Sequence, residues 1–177
     1  SGCTAIRTMR APLRRGNSAS WNCWLTVHGM RSPCGALPDA WTRQRLVFGG
    51  GAMPALGLAQ DKNGPCGVLA VVHARVVAAR LAAAPSDEAP LDETSSPSRA
   101  ELAAVLAAML AAAATGDGGV VLARWESGVV GGAIVADAPI APGDACGALE
   151  ALLEDEAAGW AAPGALCLLV VSAVLSR

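Results

Sequence analysis

The sequence predicts an α+β fold, with helices and strands segregated along the chain. Three observations carry this. Apolar residues recur at mostly helical spacing after Cys66, after Ser98 and after Ala145. Two β-branched runs, residues 120–125 and 129–135, flank the short break Glu126-Ser127-Gly128 and suit an antiparallel hairpin. The order is therefore helices, strands, helices, without the regular strand–helix–strand alternation that builds a parallel sheet.

Residues 1–37 show no sustained period and carry Gly, Pro, Ser and Asn throughout, so they are expected to form a disordered or loosely ordered Arg-rich arm. Trp21 and Trp24 stand three apart, which suits one helical turn or two loop aromatics. The folded domain is expected over 38–177. Residues 38–48 open it, Gly49-Gly50-Gly51 breaks it, and residues 53–58 lead into a loop at Gln60. A helix starting at Cys66 is expected to run to about Ala84, where Pro85 follows. Residues 85–97 hold Asp87, Glu88, Asp92 and Glu93 among Ser, Thr and Pro, and predict a flexible acidic loop. Ser98-Arg99-Ala100-Glu101 is a capping box opening a second helix that runs to about Ala114. Residues 115–119 predict a turn and 139–144 a loop. A third helix from Ala145 to about Ala158 places Leu149, Leu152 and Leu153 on one face. Pro163-Gly164 precedes the apolar run 165–175, which predicts a buried helix or strand.

A chain of 177 residues with 53% hydrophobic content suits one domain. Alanine, glycine and valine supply most of the apolar residues, beside five Trp, one Phe and no Tyr. Small side chains bury little area each, at about 25 cal/mol per Å², so a marginal core is expected. The net charge of −2 gives no global attraction to nucleic acid or to an anionic membrane. The charge is uneven, however: up to Arg45 there are seven arginines and one acid, Asp39. That pattern suits a solvated arm or an organelle transit peptide. The run 165–175 is about half of the ~20 residues that span a bilayer. Six cysteines (Cys3, Cys23, Cys34, Cys66, Cys146 and Cys167) come without a secretory h-region, which favours a reducing compartment, cytoplasmic or nuclear. No C-x₂₋₄-C pair supports a zinc site from Cys3, Cys23, Cys34 and His28. Gly49-Gly50-Gly51 lacks the Gly-Lys-Ser/Thr ending of a phosphate loop, and no cofactor is expected.

The chemistry concentrates in Gln60-Asp61-Lys62-Asn63-Gly64-Pro65-Cys66-Gly67. Gly64 and Pro65 punctuate the chain, so Cys66 falls in the first turn of the following helix. Free N–H groups and the positive end of the macrodipole favour a thiolate there, the nucleophilic form of cysteine. Gln60 carries an amide NH₂ that can face a developing oxyanion, with the Cys66 backbone N–H as a second donor. Each residue also has a plainer reading. Cys66 can be a small buried hydrophobe, and Gln60 can tie down the loop backbone. His73, with Arg75 and Arg80 nearby, suits a helix surface.

A glutamine, a loop and a helix-opening cysteine resemble the arrangement of papain-type hydrolases. More narrowly, Leu58-Ala59-Gln60, then Asn63-Gly64-Pro65-Cys66-Gly67-Val68-Leu69-Ala70, resemble the MINDY family of deubiquitinating cysteine proteases. Trp41-Thr42-Arg43-Gln44, followed by Leu46 and Phe48, is similar to the segment before that family's catalytic loop, and the ending 168–177 to a later apolar segment. The likeness is concentrated over 41–81. It rests on element order and the final run over 98–177, and is not seen in 1–37. It implies a papain-like cysteine protease variant with a nucleophile-bearing central helix and a small antiparallel sheet. It also implies Cys66 as nucleophile, Gln60 as oxyanion donor and polyubiquitin as substrate, cut at the isopeptide bond. The family's histidine lies well downstream of the cysteine, whereas this chain holds only His28 and His73. His73 is seven residues along the same helix as Cys66, a rise of about 10.5 Å, beyond side-chain reach. The expectation is an N-terminal portion of a catalytic domain, inactive alone. The alternatives are a catalytically dead ubiquitin-binding relative and a papain-like hydrolase of another amide.

Overall fold

The structure, a computed structural model, describes residues 38–50, 53–84, 94–115, 118–128, 130, 134–155 and 160–177. The predicted Arg-rich arm, with Trp21, Trp24, His28 and three cysteines, lies outside the described residues, as do 85–93 of the acidic stretch. The remainder is α+β, as the segregated periodicities predict. The strands form two separate two-stranded antiparallel sheets rather than one.

Helix α1 (Asp39–Arg43) leads into strands β1 (Phe48–Gly50) and β2 (Met53–Leu58), which pair as an irregular hairpin. The glycine run predicted as a break is therefore partly strand. Gly49 has φ +69°, and a Cβ there would lie 3.3 Å from the Ala55 Cα. A left-handed residue pressed against its partner strand selects glycine.

Helix α2 (Cys66–Ala83) starts directly after Pro65 and stops where expected. Ala84 adopts φ −63°, ψ 142°, the extended conformation imposed on a residue preceding proline. By length and composition alone α2 is apolar enough to cross a membrane. Its Leu69, Val72 and Val76 are buried where α2 packs on β2 and on helix α3 (Arg99–Ala113), and the rest of the helix is largely uncovered, with 17% of its length buried.

The capping box at the start of α3 is formed in both directions. Ser98 Oγ accepts from the Glu101 N–H at 3.2 Å, and Glu101 Oε2 accepts from the Ser98 N–H at 2.7 Å. Those bonds, with Arg80 beside them, lower the Glu101 pKa below its ordinary 4.5. A depressed carboxylate stabilises the fold fully above its ordinary pKa, and that stabilisation is lost as pH falls through the lowered value. Gln keeps the box without titrating. The Tm advantage of wild type over Glu101→Gln should therefore shrink as pH drops below 4.5. A pH-independent gap would count against the charge.

Arg80 also fixes the end of the acidic stretch. Its guanidinium meets Glu101 at 3.1 Å and donates to the Ser95 carbonyl at 2.8 Å and the Ser96 carbonyl at 3.1 Å. Ser96 Oγ in turn donates to the Ala55 carbonyl of β2 at 3.0 Å.

The core gathers around α3, whose Leu102, Ala103, Leu106 and Leu110 are buried. They face helix α4 (Ala145–Glu154), which presents Leu149 and Leu153 as predicted, and helix α5 (Ala165–Leu175). The run left open as helix or strand is thus a helix. It is apolar nearly all round and buried along most of its length, as a core helix should be. Helix α4 ends at Glu154, short of the predicted Ala158. The second hairpin pairs β3 (Ala123–Trp125) with β4 (Ile134–Ala136), and Val120 bridges Ile140 farther out. Strand β4 starts within the predicted return strand, 129–135, and ends one residue past it, while the Ile140 bridge falls in the stretch expected to be loop; residues 129 and 131–133 lie outside the described residues.

Among the described residues, strand β3 has β4 on one side only. On the other, two serines of α5 and its end take a strand's place. Ser172 Oγ accepts from the Ala123 N–H and Ser176 Oγ from the Val121 N–H, both at 2.9 Å and buried. Trp160 Nε1 donates to the Ala123 carbonyl at 2.8 Å. Ser172→Ala strands a buried N–H, and should cost about 1–3 kcal/mol in denaturant unfolding. A change inside error would show that the N–H finds another partner.

Candidate functional site

The loop between β2 and α2 carries the sequence-predicted site residues. It opens as an extension of the first hairpin, the Ala59 N–H donating to the Val47 carbonyl at 2.9 Å. It then turns: the Gly64 N–H donates to the Asp61 carbonyl at 2.9 Å, and Asn63 holds φ +65°. This is the third position of a four-residue turn, where glycine or asparagine tolerates the left-handed conformation. Pro65, at φ −76° and ψ 68°, makes a tighter inverse γ-turn that closes through the Cys66 N–H and the Gly64 carbonyl at 2.8 Å. Helix α2 begins there.

Cys66 is the first residue of α2 and is exposed. The plain reading of a buried hydrophobe does not hold for it. That reading fits Cys167 instead, whose thiol is buried and pushed up to about 12 by desolvation. The Cys66 N–H, expected as an oxyanion donor, is engaged by Gly64. In the first turn of α2 the Val68 and Leu69 N–H groups both reach the Pro65 carbonyl, whereas the Gly67 N–H has no acceptor among the described residues. Gly67, the residue after Cys66, therefore offers an open donor.

Gln60 is exposed at the other end of the loop, and its side chain has no hydrogen-bond partner among the described residues. The loop-tying role that was its plainer reading belongs to another glutamine. Gln44 is 2% exposed, and its carboxamide is spent on backbone. Its Nε2 donates to the Arg45 carbonyl at 2.8 Å and to the Ala59 carbonyl at 3.0 Å, and its Oε1 accepts from the Asp61 N–H at 2.9 Å. Sequence reasoning noted Gln44 only within a flanking segment. A buried amide whose partners lie 15 and 17 residues away leaves no periodic trace.

His73 lies half-buried on α2, two turns beyond Cys66, so the structure does not bring it to the sulfur. Among the described residues no three His, Cys, Asp or Glu gather as a metal site.

Comparison with curated proteins gives no match, and comparison with solved structures gives none. A protein-family model does match. The conserved domain of the deubiquitinating enzymes MINDY-3/4 aligns with residues 30–177. The match takes in the Gln60–Cys66 loop and both flanks. It also begins at residue 30, within the stretch where no likeness was read from the sequence. Covering most of the chain, it assigns the family: the chain belongs to the MINDY deubiquitinating enzymes.

Proposed function

We propose that this chain carries the nucleophile and the oxyanion donor of a papain-like cysteine deubiquitinase acting on polyubiquitin. The observation that carries the reading is the exposed Cys66 opening α2 after a loop that begins at Gln60, inside the family match. The Cys66 sulfur attacks the isopeptide carbonyl, and the carbonyl electrons move onto oxygen. The Gln60 carboxamide and the open Gly67 N–H receive that oxyanion. Collapse expels the lysine amine, which takes its proton from a histidine supplied outside the described residues. The thioester on Cys66 is then hydrolysed, releasing the ubiquitin C-terminal carboxylate.

One observation favours a second reading, a ubiquitin-binding relative without turnover: His73 is out of reach of Cys66. A ubiquitin C-terminal electrophile separates the two in the full-length protein. A covalent adduct mapped to Cys66 supports the hydrolase. Capture of ubiquitin chains without any adduct supports the binder. Preferential turnover of short peptide amides over ubiquitin would point to a hydrolase of another substrate.

A further inference from the structure

Every residue of the 59–65 loop is held by backbone hydrogen bonds or turn geometry except at one point, the backbone around Gln60. There the restraint comes from a side chain. The Gln44 carboxamide takes the carbonyl of the residue before Gln60 and the N–H of the residue after it, Ala59 at 3.0 Å and Asp61 at 2.9 Å. Those two groups belong to the peptide planes on either side of the Gln60 Cα. Holding both planes fixes φ and ψ of Gln60 together, and with them the direction in which its side chain leaves the backbone. A single bond to either plane would leave one rotation free.

Gln44 is itself over-determined. Its second amide hydrogen is taken by the Arg45 carbonyl at 2.8 Å, and its own backbone carbonyl accepts from the Gly164 N–H at 2.9 Å, where α5 begins. The clamp is therefore anchored to the core rather than carried by the loop. The loop makes room for it at Gly64, where a Cβ would fall 2.7 Å from Gln44 Oε1 and 3.1 Å from the Asp61 carbonyl. Any larger residue there displaces the amide or opens the turn.

We infer that Gln44 is a positioning residue, a buried clamp that aims the Gln60 carboxamide at the oxyanion. The inference rests on the hydrolase reading of Cys66 and Gln60. It makes no claim that Gln44 touches substrate: its carboxamide faces backbone on both sides.

The test uses the full-length protein with Gln44→Met, alone and combined with Gln60→Ala. Misplacing a catalytic group by about 1 Å can cost ~10²-fold, so Gln44→Met should lower kcat roughly 10- to 100-fold with KM little changed. Because Gln44 acts through Gln60, the same change in a Gln60→Ala background should cost less than about twofold more, the non-additivity of coupled residues. A merely structural glutamine would cost the same in both backgrounds. Amide hydrogen exchange reads the clamp without activity, since the Asp61 N–H should lose protection in Gln44→Met. Should Gln44→Met fail to fold, Gly64→Ala displaces the same amide while leaving it present, and the same cycle with Gln60→Ala decides. Additive losses, or wild-type kcat in the variant, overturn the positioning role while leaving the hydrolase intact. A full-length wild type that neither cleaves polyubiquitin nor reacts with the electrophile removes the hydrolase reading, and the positioning role goes with it.

Discussion

Replacing Cys66 by Ala should abolish polyubiquitin cleavage in the full-length protein, a loss on the order of 10⁶-fold if it matches nucleophile removal in other acyl-transfer enzymes. The side chain is exposed at the start of α2, so the change opens no cavity and breaks no hydrogen bond among the described residues. Tm should therefore stay within about 1 °C, surface changes usually lying within ±0.5 kcal/mol. Ubiquitin-chain binding should persist, which separates loss of chemistry from loss of recognition. Cleavage surviving in Cys66→Ala would move the nucleophile elsewhere. Cys146 and Cys167 are the other cysteines among the described residues, and Cys167 is buried with its thiol raised to about 12. Cys167 is therefore not placed to take over.

Gln60→Ala should lower kcat by about 10²- to 10³-fold, the usual cost of one oxyanion donor. KM should move little, since the donor strengthens its bond only as negative charge develops. The exposed, unpartnered Gln60 side chain makes this a clean substitution. Electrophile labelling at Cys66 should decline much less than turnover. An unchanged kcat would leave the Gly67 N–H as the donor that matters and remove Gln60 from the chemistry.

What the sequence disclosed is what local rules govern. The capping box at Ser98 and Glu101, the start of α2 after Gly64-Pro65, and its end before Pro85 each depend on residues within a turn of one another. The family motif lies in the same class, because Gln60 and Cys66 are six residues apart on one loop. Strands were harder. β1 is three residues long and two are glycine, so it has no side-chain pattern to read. The Val120–Ile140 bridge went unread because pairing is set by the partner in space, not by where a valine run begins. Helix α4 stopped early in the acidic run Glu154-Asp155-Glu156, where negative charge opposes the helix C-terminus. Gln44 stayed hidden for a different reason. Composition favours exposed glutamines, and only the folded chain shows that two backbone groups flanking Gln60 need one.

The serines that close the free side of β3 also set an order of events. Val121 and Ala123 wait for hydroxyls 55 and 49 residues farther along the chain. During synthesis, strand β3 leaves the ribosome long before Ser172 and Ser176 do, and chains grow at only about 5–20 residues per second. For some seconds its backbone donors face outward, as an edge ready to recruit another nascent chain. The arrival of α5 ends that exposure. Variants lacking the two hydroxyls should therefore be recovered in inclusion bodies out of proportion to the stability they lose once folded.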